Sequence, residues 1–189
     1  MKTFLFVLFF FISTPFSFAD QISKVTSVVD GDTVQLGDQG RVTLAGIDAP
    51  EVYPNRKLYD DARRNGVEYY QMMGLGKEAR LFLEQMVKGR KIRIETDVEE
   101  KNGRGDLLGY AFLKVCAADC KFDPVPGHEY VKLDDGTYDF LNATLVKSGF
   151  AEARPDVGGL KYRNLFSSLQ KQAQNDQAGF WVQSRELPR

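Results

Sequence analysis

Histidine and cysteine, the residues of soft-metal and redox chemistry, are almost missing: the 189-residue chain has one His and two Cys. His128, Cys116 and Cys120 make a poor zinc site, and the cysteines stand further apart than the two-residue spacing of a redox motif. An excess of either charge is also missing, with 25 Lys+Arg against 26 Asp+Glu and a formal net charge of -1. That balance excludes a general polyanion sponge, so any nucleic-acid binding has to come from locally concentrated cations. A membrane-spanning run is missing too. The apolar stretch Phe4 to Ile12 falls short of the roughly 20 residues a bilayer demands. Internal repeats and interdomain linkers are absent as well.

What the first residues do contain is the pattern of a removable export signal: Lys2, the apolar run, then Ser17 and Ala19 as small residues before a cut. The expectation is a signal peptide over 1–19 and a single domain over 20–189, with its core at about 22–182. Removal of residues 1–19 takes away Lys2 and no acid, leaving 24 cations against 26 acids and a charge of -2. The product is periplasmic or extracellular, a monomer, and without stable membrane association; retention of 1–19 as a tether is the lesser alternative. In an oxidising compartment Cys116 and Cys120 most simply pair, clipping one hairpin by roughly 2 kcal/mol.

The chain is organised around Val28 to Glu51. Alternation predicts strands over Ile22–Val29, Thr33–Leu36 and Arg41–Ile47, joined by the Asp30-Gly31 turn and by GDQG at Gly37–Gly40. This meander brings Asp32, Arg41, Asp48 and Glu51 onto two strands and the loop after them, where Pro50 turns the chain away. Residues 52–75 read as an insertion with some helix, in which Tyr53, Tyr59, Tyr69 and Tyr70 alternate with cations and acids. A helix is predicted over Lys77–Lys88, with Ala79, Phe82, Leu83, Met86 and Val87 on one stripe and Gly89 as its stop. Strands follow over Arg90–Thr96 and Leu107–Val115, with Asn102-Gly103 at the tip of the turn between them. A short strand over Tyr130–Leu133, a helix capped by Asp139 and running through Ser148, an extended piece over Phe150–Arg154 and a last helix over Leu160–Gln177 complete the expectation.

Taken singly, these words have plain explanations. Asp-Gly-Asp is usually a hairpin turn, Asp-x-Pro-Glu a loop, and Asn-Gly-Arg-Gly an exposed turn. Their joint presence, in order, is more specific. VVDGDTVQL, RVTLAGIDAPE, KNGRGDLLGYAFL and LVKSGFAEA together resemble the thermonuclease (staphylococcal nuclease-like) family, over about Val25 to Trp181. The resemblance implies an α+β fold with a mainly β core: a five-stranded OB-fold barrel with about three helices.

It also implies an activity: calcium-dependent hydrolysis of DNA and RNA with little sequence preference, cutting on the 5′ side to leave 3′-phosphates. By motif, Asp32 and Asp48 resemble the carboxylate ligands of one calcium ion, with the carbonyl of Ala49 as a third. Glu51 resembles the residue that positions or deprotonates the attacking water. Arg41 and Arg104 resemble the two guanidinium groups that hold the scissile phosphate, and Lys101 a further phosphate contact. The chemistry is coherent, because water attacking a phosphorus shielded by anionic oxygens needs a hard cation with oxygen ligands, and forked donors match the equatorial oxygens.

Two departures stand out. Asn102 replaces a family tyrosine, and Arg154, Pro155 and Asp156 occupy the stretch where further tyrosines are expected. Tyr69 or Tyr70 of the insertion is therefore the expected replacement base-stacking platform. The competing class is a non-catalytic OB-fold module that binds nucleic acid or peptide, and the retention of all three acids weighs against it.

Overall fold

A computed structural model describes residues 21–37, 39–154 and 160–181, the side chains of 97–100 excepted. The export segment, Pro155 and Asp156 lie outside the described residues. In chain order the elements are β1 (Gln21–Asp30), β2 (Thr33–Leu36), β3 (Gly40–Leu44), β4 (Ile47–Asp48), α1 (Arg56–Asn65) and α2 (Tyr69–Val87). They continue with β5 (Lys91–Lys101), β6 (Leu107–Ala117), β7 (Tyr130–Leu133), β8 (Gly136–Phe140), α3 (Leu141–Lys147), β9 (Glu152–Ala153) and α4 (Arg163–Asn175).

Two long strands each pair with more than one neighbour, and this closes the sheet. The first half of β1 pairs with β5, Gln21 opposite Ile94, while its second half pairs with β2, Val28 opposite Val34. Register shifts between Val25 and Ser27 and between Val28 and Asp30 bend the strand through that change of partner, as bulges do. β6 likewise pairs antiparallel with β5 and parallel with β3, Val42 opposite Leu107. β1, β2, β3, β6 and β5 thus form a closed five-stranded, OB-like barrel, and the β7–β8 hairpin continues the sheet beyond β6. Closure removes the exposed edges that an open sheet of these strands would carry.

The barrel is filled and capped by apolar faces. Ala79, Leu83 and Val87 of α2 are fully buried with Val25 and Ile92, and Phe166, Leu169 and Ala173 of α4 close the other side with Tyr110 and Phe140. Buried Asn142 pins α3 to the barrel: its Oδ1 accepts the N–H of Ala111 at 2.9 Å and its Nδ2 donates to the carbonyl of Ala45 at 2.9 Å. At the end of β6, Cys116 and Cys120 are disulfide-bonded, with Cα atoms 5.9 Å apart. Among the described residues no helix is long and apolar enough to cross a membrane.

The structure departs from expectation at particular elements. There are four helices among the described residues rather than about three, because the 52–75 insertion holds all of α1 and the start of α2. Gly66 ends α1 in the left-handed region at φ 68°, as a helix-stopping glycine does. Gly74 and Gly76 instead lie inside α2, which begins at Tyr69 and not at Lys77. Asp139 does not cap a helix. It belongs to β8, where its carboxylate accepts the Thr144 hydroxyl and pairs with His128 Nδ1, and α3 starts at Leu141.

Candidate active site

The site starts from the Asp30-Gly31-Asp32 turn. Gly31 is there for contact rather than for a left-handed conformation: a Cβ added to it would stand 2.6 Å from the Cβ of Ala49 and 2.8 Å from that of Ala79. Its bareness lets α2 and the loop after β4 close on the turn. Asp32 is buried at 9% exposure, its Oδ1 accepting the Thr33 hydroxyl at 2.9 Å and its Oδ2 the N–H of Ala49 at 2.8 Å. Burial pushes its carboxyl well above the usual range, and the charges of Asp30 and Asp48 push the same way.

The loop Asp48-Ala49-Pro50-Glu51 is held from two sides. β4 pairs with β9, Ile47 opposite Ala153 and Asp48 opposite Glu152, which sets Arg154 Nη1 3.5 Å from Asp48 Oδ2. On the other side Gly76 lies so close to the carbonyls of Pro50 and Glu51 that a Cβ there would meet both at 2.5 Å. Glu51 is half-buried, and its Oε2 accepts from Asn55 Nδ2 at 2.8 Å. Asn55 also caps α1, its Oδ1 accepting the N–H of Leu58 at 2.8 Å, so the first turn of that helix is tied to Glu51.

At the centre of this arrangement stands Lys57. Its Nζ lies 3.0 Å from the Ala49 carbonyl oxygen, 3.1 Å from Asp48 Oδ1, 3.2 Å from Asp61 Oδ2 and 3.3 Å from Glu51 Oε1. Burial would lower the pKa of this amine, yet Asp48, Asp61 and Glu51 together hold it above the ordinary lysine value. Asp48 is raised by burial, against the opposing pull of Lys57 and Arg154. Glu152, raised by its burial, lines the same small cavity as Asp48, Asp61 and Arg64.

A second group of sequence-predicted residues lies on β3 and on the β5–β6 turn. Arg41 and Lys101 line an open cleft with Gln35 and Asp106, and Arg41 Nε is 4.0 Å from Asp106 Oδ1. Arg104 is exposed, on a turn organised by Asn102 Oδ1, which accepts the N–H groups of Arg104 and Asp106 at 2.9 and 3.0 Å. A chain of polar contacts runs from this turn back to Asp32: Asn102 Nδ2 to Thr43 Oγ1 at 3.3 Å, Thr43 to the Thr33 hydroxyl at 3.4 Å, and Thr33 to Asp32. Tyr69 and Tyr70 stand exposed at the start of α2, their rings 5.9 Å apart, with Tyr59 5.2 Å from Tyr69.

The structure therefore gathers Asp48, Ala49 and Glu51 on one cation, ties Asp32 to the same loop through Ala49, and sets Arg41, Lys101 and Arg104 on the adjoining strand and turn. Sequence reasoning missed Asn55, Lys57, Asp61 and Arg154. The i,i+4 spacing of Lys57 and Asp61 shows that they share a helix face, but nothing in the sequence shows that this face meets Asp48.

Hard oxygen donors, three carboxylates and a carbonyl, are the set that calcium takes, at distances of about 2.3–2.6 Å. The donor chemistry around Lys57 fits such an ion. Among the described residues no group of three or more His, Cys, Asp or Glu is drawn together tightly enough to form a preformed metal site, and the oxygens here are spaced around an ammonium nitrogen.

A closed OB-like barrel thus carries Asp48, Glu51 and Asp61 around one ammonium, and an open cleft lined by Arg41 and Lys101. The family model described as staphylococcal nuclease homologue matches residues 41–183, and the chain belongs to that family. It is 30% identical over 166 residues to the thermonuclease of Staphylococcus hyicus, covering 86% of this chain and 76% of that protein. It is 31% identical over 161 residues to the thermonuclease of Staphylococcus intermedius, covering 83% and 74%. A protein of Methanocaldococcus jannaschii described as uncharacterized is 25% identical over 166 residues, covering 84% and 70%.

Proposed function

We propose that the chain is an exported, calcium-dependent nuclease that hydrolyses phosphodiester bonds of DNA and RNA with little sequence preference and leaves 3′-phosphates. The observation that carries this reading is the convergence of Asp48, Glu51, Asp61 and the Ala49 carbonyl on a single positive charge. A merely structural ion pair needs one carboxylate, and burying four oxygen acceptors around one position is costly unless a cation is held there.

In this reading Asp32, Asp48 and the Ala49 carbonyl hold one calcium ion, which supplies charge neutralisation and polarisation of the phosphoryl oxygen when bound. Glu51, oriented by Asn55, takes the proton of the attacking water or fixes its approach. Arg41 and Arg104 grip the equatorial oxygens, where their planar forks match charge that develops in the transition state. Lys101 adds a phosphate contact from the same cleft as Arg41. Tyr69 and Tyr70 give unpaired bases a stacking surface.

Incubation of the purified chain with plasmid DNA or RNA and millimolar calcium, with and without chelator, tests the proposal. The expected result is degradation that the chelator abolishes. Stable binding without cleavage in calcium would assign the barrel to the non-catalytic class instead.

A further inference from the structure

Lys57 stands where the proposed function needs a metal ion, and it is held there by the same oxygens. Its Nζ touches Asp48 and the Ala49 carbonyl, two of the three proposed calcium donors, as well as Glu51. An ammonium and a calcium ion cannot share one set of oxygens at contact distance, because both charges would then repel within a partly buried cavity. We propose that Lys57 is a built-in placeholder cation: its ammonium neutralises the site in the absence of metal, and calcium binds by displacing it. This rests on the calcium-nuclease reading above and deepens it.

The surroundings permit the exchange. Lys57 sits in the first turn of α1, and that turn is anchored independently by Asn55 to Glu51 and to the N–H of Leu58, so the side chain can leave while the helix stays. The Lys57 side chain is 30% exposed, which gives its ammonium a route to water along a flexible stem. The acids it leaves are not all abandoned. Asp61 Oδ1 keeps Arg64 Nη2 at 2.8 Å, and Asp48 Oδ2 keeps Arg154 at 3.5 Å. Asp48 Oδ1, Glu51 Oε1, Asp61 Oδ2 and the Ala49 carbonyl are the atoms set free. A lysine suits this role better than an arginine, since a compact ammonium with three donors imitates a small ion while a planar fork does not.

Calcium chloride titrated into the purified chain in a calorimeter, for the parent, Lys57→Met and Lys57→Arg, tests the placeholder. The apparent calcium Kd is expected to tighten by about tenfold or more in Lys57→Met, as one unit charge is removed from beside a divalent ion. Lys57→Arg, which keeps a competing charge, is expected to stay near the parent. Equal or weaker calcium affinity in Lys57→Met overturns the placeholder and leaves the calcium reading intact. No calcium binding by parent or variant overturns both.

Because Lys57→Met removes the one cation shared by Asp48, Glu51 and Asp61 and can unfold, the parent alone supplies a second measurement. The side-chain ammonium resonance of Lys57, protected by four acceptors, is expected to broaden into fast solvent exchange as calcium saturates the site. A Lys57 resonance unchanged at saturating calcium sinks the proposal.

Discussion

The backbone N–H of Ala49 donates to Asp32 Oδ2 at 2.8 Å, joining residues 17 positions apart and fixing the loop after β4 to the β1–β2 turn. Through that bond a buried acid and the carbonyl beside Lys57 are parts of one unit, and perturbing either side has measurable consequences.

Asp32→Asn keeps an acceptor for Ala49 and removes a charge that burial disfavours. A carboxyl raised in the folded state contributes stability at acid pH that is lost as pH rises through the folded value. In chelator at pH 8 the variant is therefore expected to melt above the parent, each kcal/mol of relief being worth about 2–4 °C for a chain of this size. Its advantage should vanish toward pH 4, where the parent's Asp32 is protonated. Thermal melts at both pH values check this, and an advantage largest at low pH contradicts it. In saturating calcium the order is expected to reverse.

Glu51→Gln and Arg104→Lys are expected to lower kcat by about 100-fold or more, because in the proposed function both groups act mainly on the transition state. Arg104 is exposed, so its variant should melt within about 2 °C of the parent. Steady-state kinetics on single-stranded DNA decide the matter. Near-normal turnover in Glu51→Gln removes that residue from the chemistry.

Tyr69→Ala and Tyr70→Ala are expected to raise KM by about fivefold or more with little change in kcat, the scale of one lost base-aromatic stack. Both rings are exposed, and their loss should not disturb the fold. An unchanged KM on single-stranded DNA means the substrate does not rest on this surface.

Asn142→Ala is expected to destabilise the chain by about 2–4 kcal/mol, since it strands the Ala111 N–H and the Ala45 carbonyl in a dry interior. Chemical denaturation measures the loss. A cost below 1 kcal/mol would mean that water replaces the side chain.

Much of the barrel is legible in the sequence because its signals are local. Val42 and Leu44 in β3, and Ile92 and Ile94 in β5, alternate with exposed or half-buried neighbours, and each pair is buried. The stripe on the second half of α2 is similarly regular. The first turns of α2 are hidden by poor helix formers, Gly74 and Gly76, although Gly76 is required by the Pro50 and Glu51 carbonyls that lie against it. β8 escaped because Asp139 reads as a helix cap, whereas in the structure it is buried in the strand, where its carboxylate accepts the Thr144 hydroxyl.

The candidate site divides along the same line. Asp48, Ala49 and Glu51 are neighbours in sequence and needed only a turn to bring them together. Lys57 and Asp61 join them because α1 folds back over the loop, which is a matter of helix packing and not of any short motif.

The order of residues by itself determined most of the barrel strands, the family and the acids of the loop, because hydrophobic period, turn chemistry and motif spacing act over a few neighbouring positions. Only the tertiary structure decided which charge those acids face. Electrostatic partners are chosen by distance through space, and Lys57 reaches Asp48 by the way α1 lies against the β4 loop, a contact that no local pattern encodes.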